Sequence, residues 1–176
     1  MFTDQFMNFP TILNQIPEAA ALMIGSSKYH ELRGLIGFYQ TKEGVLVTAE
    51  ITGLPVSSDV CHSPIFGFHI HEGERCTGNE TDPFADTKGH YNPKGCEHPY
   101  HAGDLPPLLG NKGNAFSIVL TDRFTVSEVI GKTVIIHASL DDFTTQPSGN
   151  SGEKLGCGVI RKVTFERTPE KNVKFT

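Results

Sequence analysis

The chain has 176 residues, 38% of them hydrophobic, enough to fill the core of one domain. Its formal net charge of -5 argues against a nucleic-acid groove or an anionic membrane surface as the main partner, and no apolar run approaches the roughly 18 residues of a membrane span. The opening MFTDQFMNFPTILNQIP lacks a basic segment followed by an apolar stretch and a cleavage site, so a cytoplasmic location is expected, or an extracytoplasmic one for a processed form.

In chain order, residues 1–17 read as an N-terminal arm and 18–176 as the domain. Strands are expected at 18–24, 30–40, 45–54, 65–71, 115–121, 132–138 and 158–165, with a weaker one at 124–129. These segments are rich in Val, Ile, Phe, Tyr or Thr and bounded by Gly, Pro, Asn or Asp. Long helical periodicity is missing, and 18 glycines and 11 prolines break up the chain. That pattern predicts an all-β antiparallel sandwich or Greek-key barrel. Residues 72–114 carry little strand character and much Gly, Pro, Asn, Asp and His, and a loop that long in a compact domain is normally functional.

Six of the eight histidines fall into a run with Asp104: His69, His71, His90, His98, His101 and His137. A lone histidine on a strand is more often a packed or surface residue, but seven potential ligands at organised spacing point to metal. On a strand, His69 and His71 project from one face and reach one ion, while Phe68 and Ile70 point into the core. His137 ends the apolar run Val134-Ile135-Ile136 and can join them from a neighbouring strand. His98, His101 and Asp104 recur every third residue in the long loop and suit tetrahedral zinc once a fourth ligand is supplied. His90 lies between the groups, and its two ring nitrogens allow it to serve both. His30 and His62 read as surface residues.

Four strings carry a family resemblance: Gly67-Phe68-His69-Ile70-His71-Glu72, Gly89-His90-Tyr91-Asn92-Pro93, His101-Ala102-Gly103-Asp104-Leu105-Pro106, and the run from Gly149 through Lys154 and Cys157 to Ile160. They resemble, in order, copper/zinc superoxide dismutase, and bacterial members more than the animal enzymes. The resemblance implies an eight-stranded antiparallel Greek-key barrel, a flattened sandwich with its metals under long metal-binding and active-site loops. It also implies copper on His69, His71, His90 and His137, and zinc on His90, His98, His101 and Asp104. His90 would then be bridge and proton carrier, Asp141 a link between a copper histidine and a zinc histidine, and Cys76–Cys157 a disulfide. Superoxide would be the substrate; a homodimer is one assembly the sequence leaves open.

The chain departs from the family where arginine usually stands at the copper mouth, for here the residue is Lys154. Lysine keeps the charge and loses the planar fork, so catalytic attraction of superoxide is expected to be weaker; the alternative is a plain surface lysine. The segment 141–154 is also shorter than the usual loop. Cys61 and Cys96 have no family counterpart and could pair with each other, bind metal or stay reduced. Two other functions stay open at this level: a copper- or zinc-binding relative with little activity, acting as a metal carrier or structural module, and an adhesive sandwich with incidental histidines.

Overall fold

The computed structural model describes residues 12, 14–59, 61, 64–165 and 173–175. Most of the expected arm, His62 and the last stretch of the expected domain lie outside them. Among the described residues the elements are β1 (Ala19–Gly25), β2 (Arg33–Thr41), β3 (Gly44–Thr52), β4 (Ile65–His71), β5 (Asp104–Leu109), β6 (Ala115–Thr121), a one-turn helix α1 (Val126–Val129), β7 (Thr133–His137), β8 (Lys154–Phe165) and β9 (Val173–Phe175). Eight strands pair antiparallel in the order β5-β4-β7-β8-β1-β2-β3-β6, with β9 added to β8. The end strands β5 and β6 approach each other, so the sheet curls into a nearly closed barrel. Because β3 neighbours β6 and β4 neighbours β7, the links between β3 and β4 and between β6 and β7 cross the barrel ends, as a Greek key requires.

Alternation builds the interior. Ile36 and Phe38 of β2, Val45, Val47, Ala49 and Ile51 of β3, Phe66, Phe68 and Ile70 of β4, and Val134 and Ile136 of β7 form one buried cluster. Each large side chain there contributes about 1.5–3 kcal/mol. On β6 the outward residues are themselves apolar: Phe116, Ile118 and Leu120 are exposed.

Several elements differ from the sequence expectation: β2 starts at Arg33 rather than 30, β8 at Lys154 rather than 158, and β9 is not among the expected strands. Residues 126–129 form helix α1, not a strand. Phe124 and Val126 are both buried and their alternation mimics a strand, but Val129 is buried as well, a helical step from Val126, and the Glu128 carboxylate accepts from the Thr125 amide at 2.6 Å to cap the turn. Within the long segment, Asp104–Leu109 is a strand although it carries Pro106 and Pro107. Proline cannot donate to a ladder, and β5 tolerates two because it is an end strand paired on one side, to β4.

Candidate metal centre

The centre grows out of the second face of β4. With Phe66, Phe68 and Ile70 turned inward, His69 and His71 must turn outward, yet they are buried because loop residues cover that face. Backbone hydrogen bonds hold the cover down: the Tyr91 amide donates to Ile70 O and the Glu72 amide to Gly89 O. His90 comes in with this loop, forming an isolated bridge with His71 and stacking on His69 at 3.9 Å between ring centres. β7, paired with β4, delivers His137, whose Nε2 lies 3.3 Å from that of His71.

Two sets of ligand atoms converge, each within 4.8 Å of one another: His69, His71, His90 and His137 in one, and His90, His98, His101 and Asp104 in the other. In the second set, Asp104 Oδ1 is 2.7 Å from His90 Nδ1, Asp104 Oδ2 is 3.1 Å from His98 Nδ1, and His101 Nδ1 is 3.4 Å from His90 Nδ1. Asp104 Oδ2 also accepts from the His101 amide at 3.0 Å, which fixes the turn holding both residues.

Outer partners decide which nitrogen of each ring is left open. The ionised Asp141 carboxylate accepts from His69 Nε2 at 2.7 Å and from His98 Nε2 at 2.8 Å, leaving Nδ1 of both rings as lone pairs. His71 donates from Nδ1 to Lys88 O at 2.8 Å, and His137 donates from Nδ1 to Gly152 O at 3.2 Å, so their Nε2 atoms are the open ones. Gly149 makes room for the Asp141 link. Its φ is +65°, and a Cβ there would stand 2.0 Å from Asp141 Oδ1 and 2.7 Å from His98 Nε2.

Three of the open nitrogens, His69 Nδ1, His90 Nε2 and His98 Nδ1, are buried without any hydrogen-bond partner. Such an orphan costs about 1–3 kcal/mol. Three of them in one cluster fit a site whose missing partners are cations. At His69 protonation does not take that place at neutral pH. Burial pushes His69 down to about 4, His137 down to about 3, and His71 well below the usual imidazole range. Burial alone would raise the Asp141 and Asp104 carboxyls, but hydrogen bonds from His69, the Phe143 amide and His98 outweigh it at Asp141, and the His90 bond and neighbouring imidazoles outweigh it at Asp104, so both are lowered. Neutral imidazoles beside ionised carboxylates are what divalent cations need.

The expected disulfide is present: Cys76, beyond β4, joins Cys157 of β8 across 81 residues. Cys61 and Cys96 are free thiols, and His30 is exposed. Lys154 pairs with His137 in the β7–β8 ladder, at the rim of the first ligand set. Its ammonium donates to Asp82 Oδ2 at 2.7 Å and to Phe84 O at 3.0 Å.

Some supporting residues give no sequence signal. Arg123 Nη1 donates to the carbonyls of Pro99, His101 and Asp104 at 3.1–3.2 Å, pinning the loop that carries the second set. Gln146 exchanges two hydrogen bonds with the backbone of His98. Neither belongs to a motif; each is defined by a fold that brings distant segments together.

Comparison with known proteins agrees with this geometry. The family described as copper/zinc superoxide dismutase (SODC) matches residues 32–160. "Superoxide dismutase [Cu-Zn] 2" of Aquifex aeolicus is 33% identical over 146 residues, covering 74% of this chain and 80% of the relative. "Superoxide dismutase [Cu-Zn]" of Legionella pneumophila is 35% identical over 136 residues (73% and 77%), and that of Photobacterium leiognathi 33% over 142 residues (73% and 78%).

Proposed function

The chain belongs to the copper/zinc superoxide dismutase family, and from that membership we propose that His69, His71, His90 and His137 hold copper while His90, His98, His101 and Asp104 hold zinc. The protein is a superoxide dismutase, an oxidoreductase whose substrate is superoxide and whose products are oxygen and hydrogen peroxide, with copper and zinc as cofactors. Copper, when bound, supplies the one-electron couple, and zinc supplies a fixed charge without redox chemistry.

The protein's own work is positional and protonic. β4 and β7 hold three imidazoles with their lone pairs turned the right way, and Asp141 ties one of them to the zinc loop. His90 presents Nδ1 to the second set and keeps Nε2 for the first. When its lone pair is not engaged by the metal, that Nε2 would take a proton from solvent and give it to the peroxide product. Lys154, at the rim, attracts the anion from solution. The clamp Cys76–Cys157 keeps the covering loop on the barrel.

The observation that carries this reading is the pair of ligand sets meeting at His90, with three buried nitrogens lacking a partner. The test is dismutation measured alongside copper and zinc content: the reading expects one of each per chain and activity that tracks copper. A protein that takes up neither metal, or dismutates equally without copper, contradicts it. The exposed apolar row Phe116, Ile118 and Leu120 supports a homodimer, checked by sedimentation. The disulfide supports an oxidising, extracytoplasmic compartment over the cytoplasmic expectation, checked by cell fractionation. The net charge of -5 supports the absence of a nucleic-acid or anionic-membrane partner; among the described residues no helix is long and apolar enough to cross a membrane.

A further inference from the structure

Lysine is a poor anion guide when its ammonium swings freely, because four rotatable bonds spread its charge over a wide volume and it lacks the planar fork of arginine. In this protein the ammonium of Lys154 does not swing. Its side chain is only 14% exposed, held at Nζ by Asp82 Oδ2 and Phe84 O.

Both acceptors belong to the loop that the Cys76–Cys157 disulfide ties to the strand carrying Lys154. The loop around them is itself fixed. Asn79 Oδ1 accepts from the amides of Thr81 and Asp82, Asp82 Oδ1 accepts from the Phe84 amide, and Phe84 packs with Ile135 and Cys157. The acceptors are therefore placed before the lysine arrives. Lys154 is itself the ladder partner of His137, a ligand of the first set, so the ion pair stands beside that set.

We propose that Asp82 is a positioning residue for Lys154: it fixes the ammonium at the rim of the copper set and cancels part of its charge, so a lysine–aspartate pair sets anion attraction in this protein. This rests on Lys154 being the anion guide. The two effects oppose each other. Holding the ammonium in place restores some of the order that arginine has by shape. A carboxylate 2.7 Å away, however, turns a lone charge into something closer to a dipole, whose field falls off faster with distance.

Azide, a small monoanion that binds copper, separates the two effects by its dissociation constant, read from the visible spectrum of the copper- and zinc-loaded protein. Asp82→Asn keeps an acceptor for Nζ and removes the charge, so azide should bind about 3-fold tighter or more, with a steeper loss of affinity as salt rises. Asp82→Ala removes the holder as well, and its gain should fall short of that of Asn. Lys154→Gln should weaken azide binding by about 3- to 10-fold. Metal content, measured on every variant, should stay parental. If Lys154→Gln leaves azide affinity unchanged, the guiding role of Lys154 fails and the role of Asp82 with it. If Lys154→Gln weakens azide but Asp82→Asn does not tighten it, only the role of Asp82 is overturned. Equal gains for the Asn and Ala variants overturn its positioning part.

Discussion

The two ligand sets share His90, but one is built on a sheet and the other on a loop. His69, His71 and His137 sit on β4 and β7, where ladder hydrogen bonds and the apolar residues between them fix the backbone that carries each ring. His98 and His101 sit in irregular chain, and Asp104 is the first residue of an end strand. Their places depend on side-chain clasps: Asp104 on the His101 amide, Gln146 on the His98 backbone, Arg123 on three carbonyls, and Asp141 on the His98 ring. A sheet keeps its ligands in place whether or not an ion is bound; a clasped loop shares that task with the ion. The first set should therefore be the more rigid without metal, and the second the more dependent on its metal.

The largest break in that comparison comes from the ligands themselves. His69→Ala or His137→Ala should abolish copper-dependent dismutation and leave a folded barrel that still takes up zinc, measured by metal analysis beside the activity assay. Parental rates with full copper in either variant contradict the copper assignment. Asp141→Asn, which weakens the side chain bonded to the His69 ring of the first set and the His98 ring of the second, should lower affinity for both metals by about 10- to 100-fold in chelator competition. A loss confined to one metal would show that Asp141 serves one set alone.

Smaller effects sharpen the contrast between sheet and loop. Cys76→Ser should lower Tm by about 5–15 °C, because a crosslink across a long separation contributes about 2–4 kcal/mol, and it should loosen metal retention. Arg123→Ala should weaken zinc retention more than copper retention, read as metal release at a fixed chelator concentration, because its three acceptors all lie at the second set. Lys154→Arg should keep or raise the dismutation rate, Lys154→Glu should lower it with metal retained, and the parental rate should fall as salt rises.

The pH response of the metal-free protein has a definite sign. Native His69, His71 and His137 bind protons more weakly than unfolded imidazoles, whose usual value is 6.5. The unfolded chain therefore takes up more protons below that value, and stability falls as pH drops from about 6.5 toward about 3. Asp141 and Asp104, lowered in the native state, add to the loss below 3.8. Urea denaturation of metal-free protein across this range should show a steady decline, and flat stability would contradict the buried, neutral state of these rings.

Much of this was legible in the sequence for a physical reason: strands at 65–71 and 115–121 are bounded by proline, glycine or polar residues and carry β-branched and aromatic side chains, so both ends match the structure. The two convergent groups of histidines and Asp104 were legible because metal binding restricts residue type and spacing together. β5 was hidden by two prolines, and β8 begins at Lys154 rather than 158 because Gly156 and Gly158 weaken the strand pattern. Asp82 and Arg123 were not legible at all. Asp82 meets Lys154 across 72 residues, and Arg123 meets carbonyls, which leave no mark on residue identity.

The central claim, two metals meeting at His90, is tested most directly by anomalous diffraction at the copper and zinc edges from crystals of the loaded protein. The account predicts a copper peak among His69, His71, His90 and His137 and a separate zinc peak among His90, His98, His101 and Asp104. A single peak, or copper held by the loop set with the sheet set empty, would contradict it.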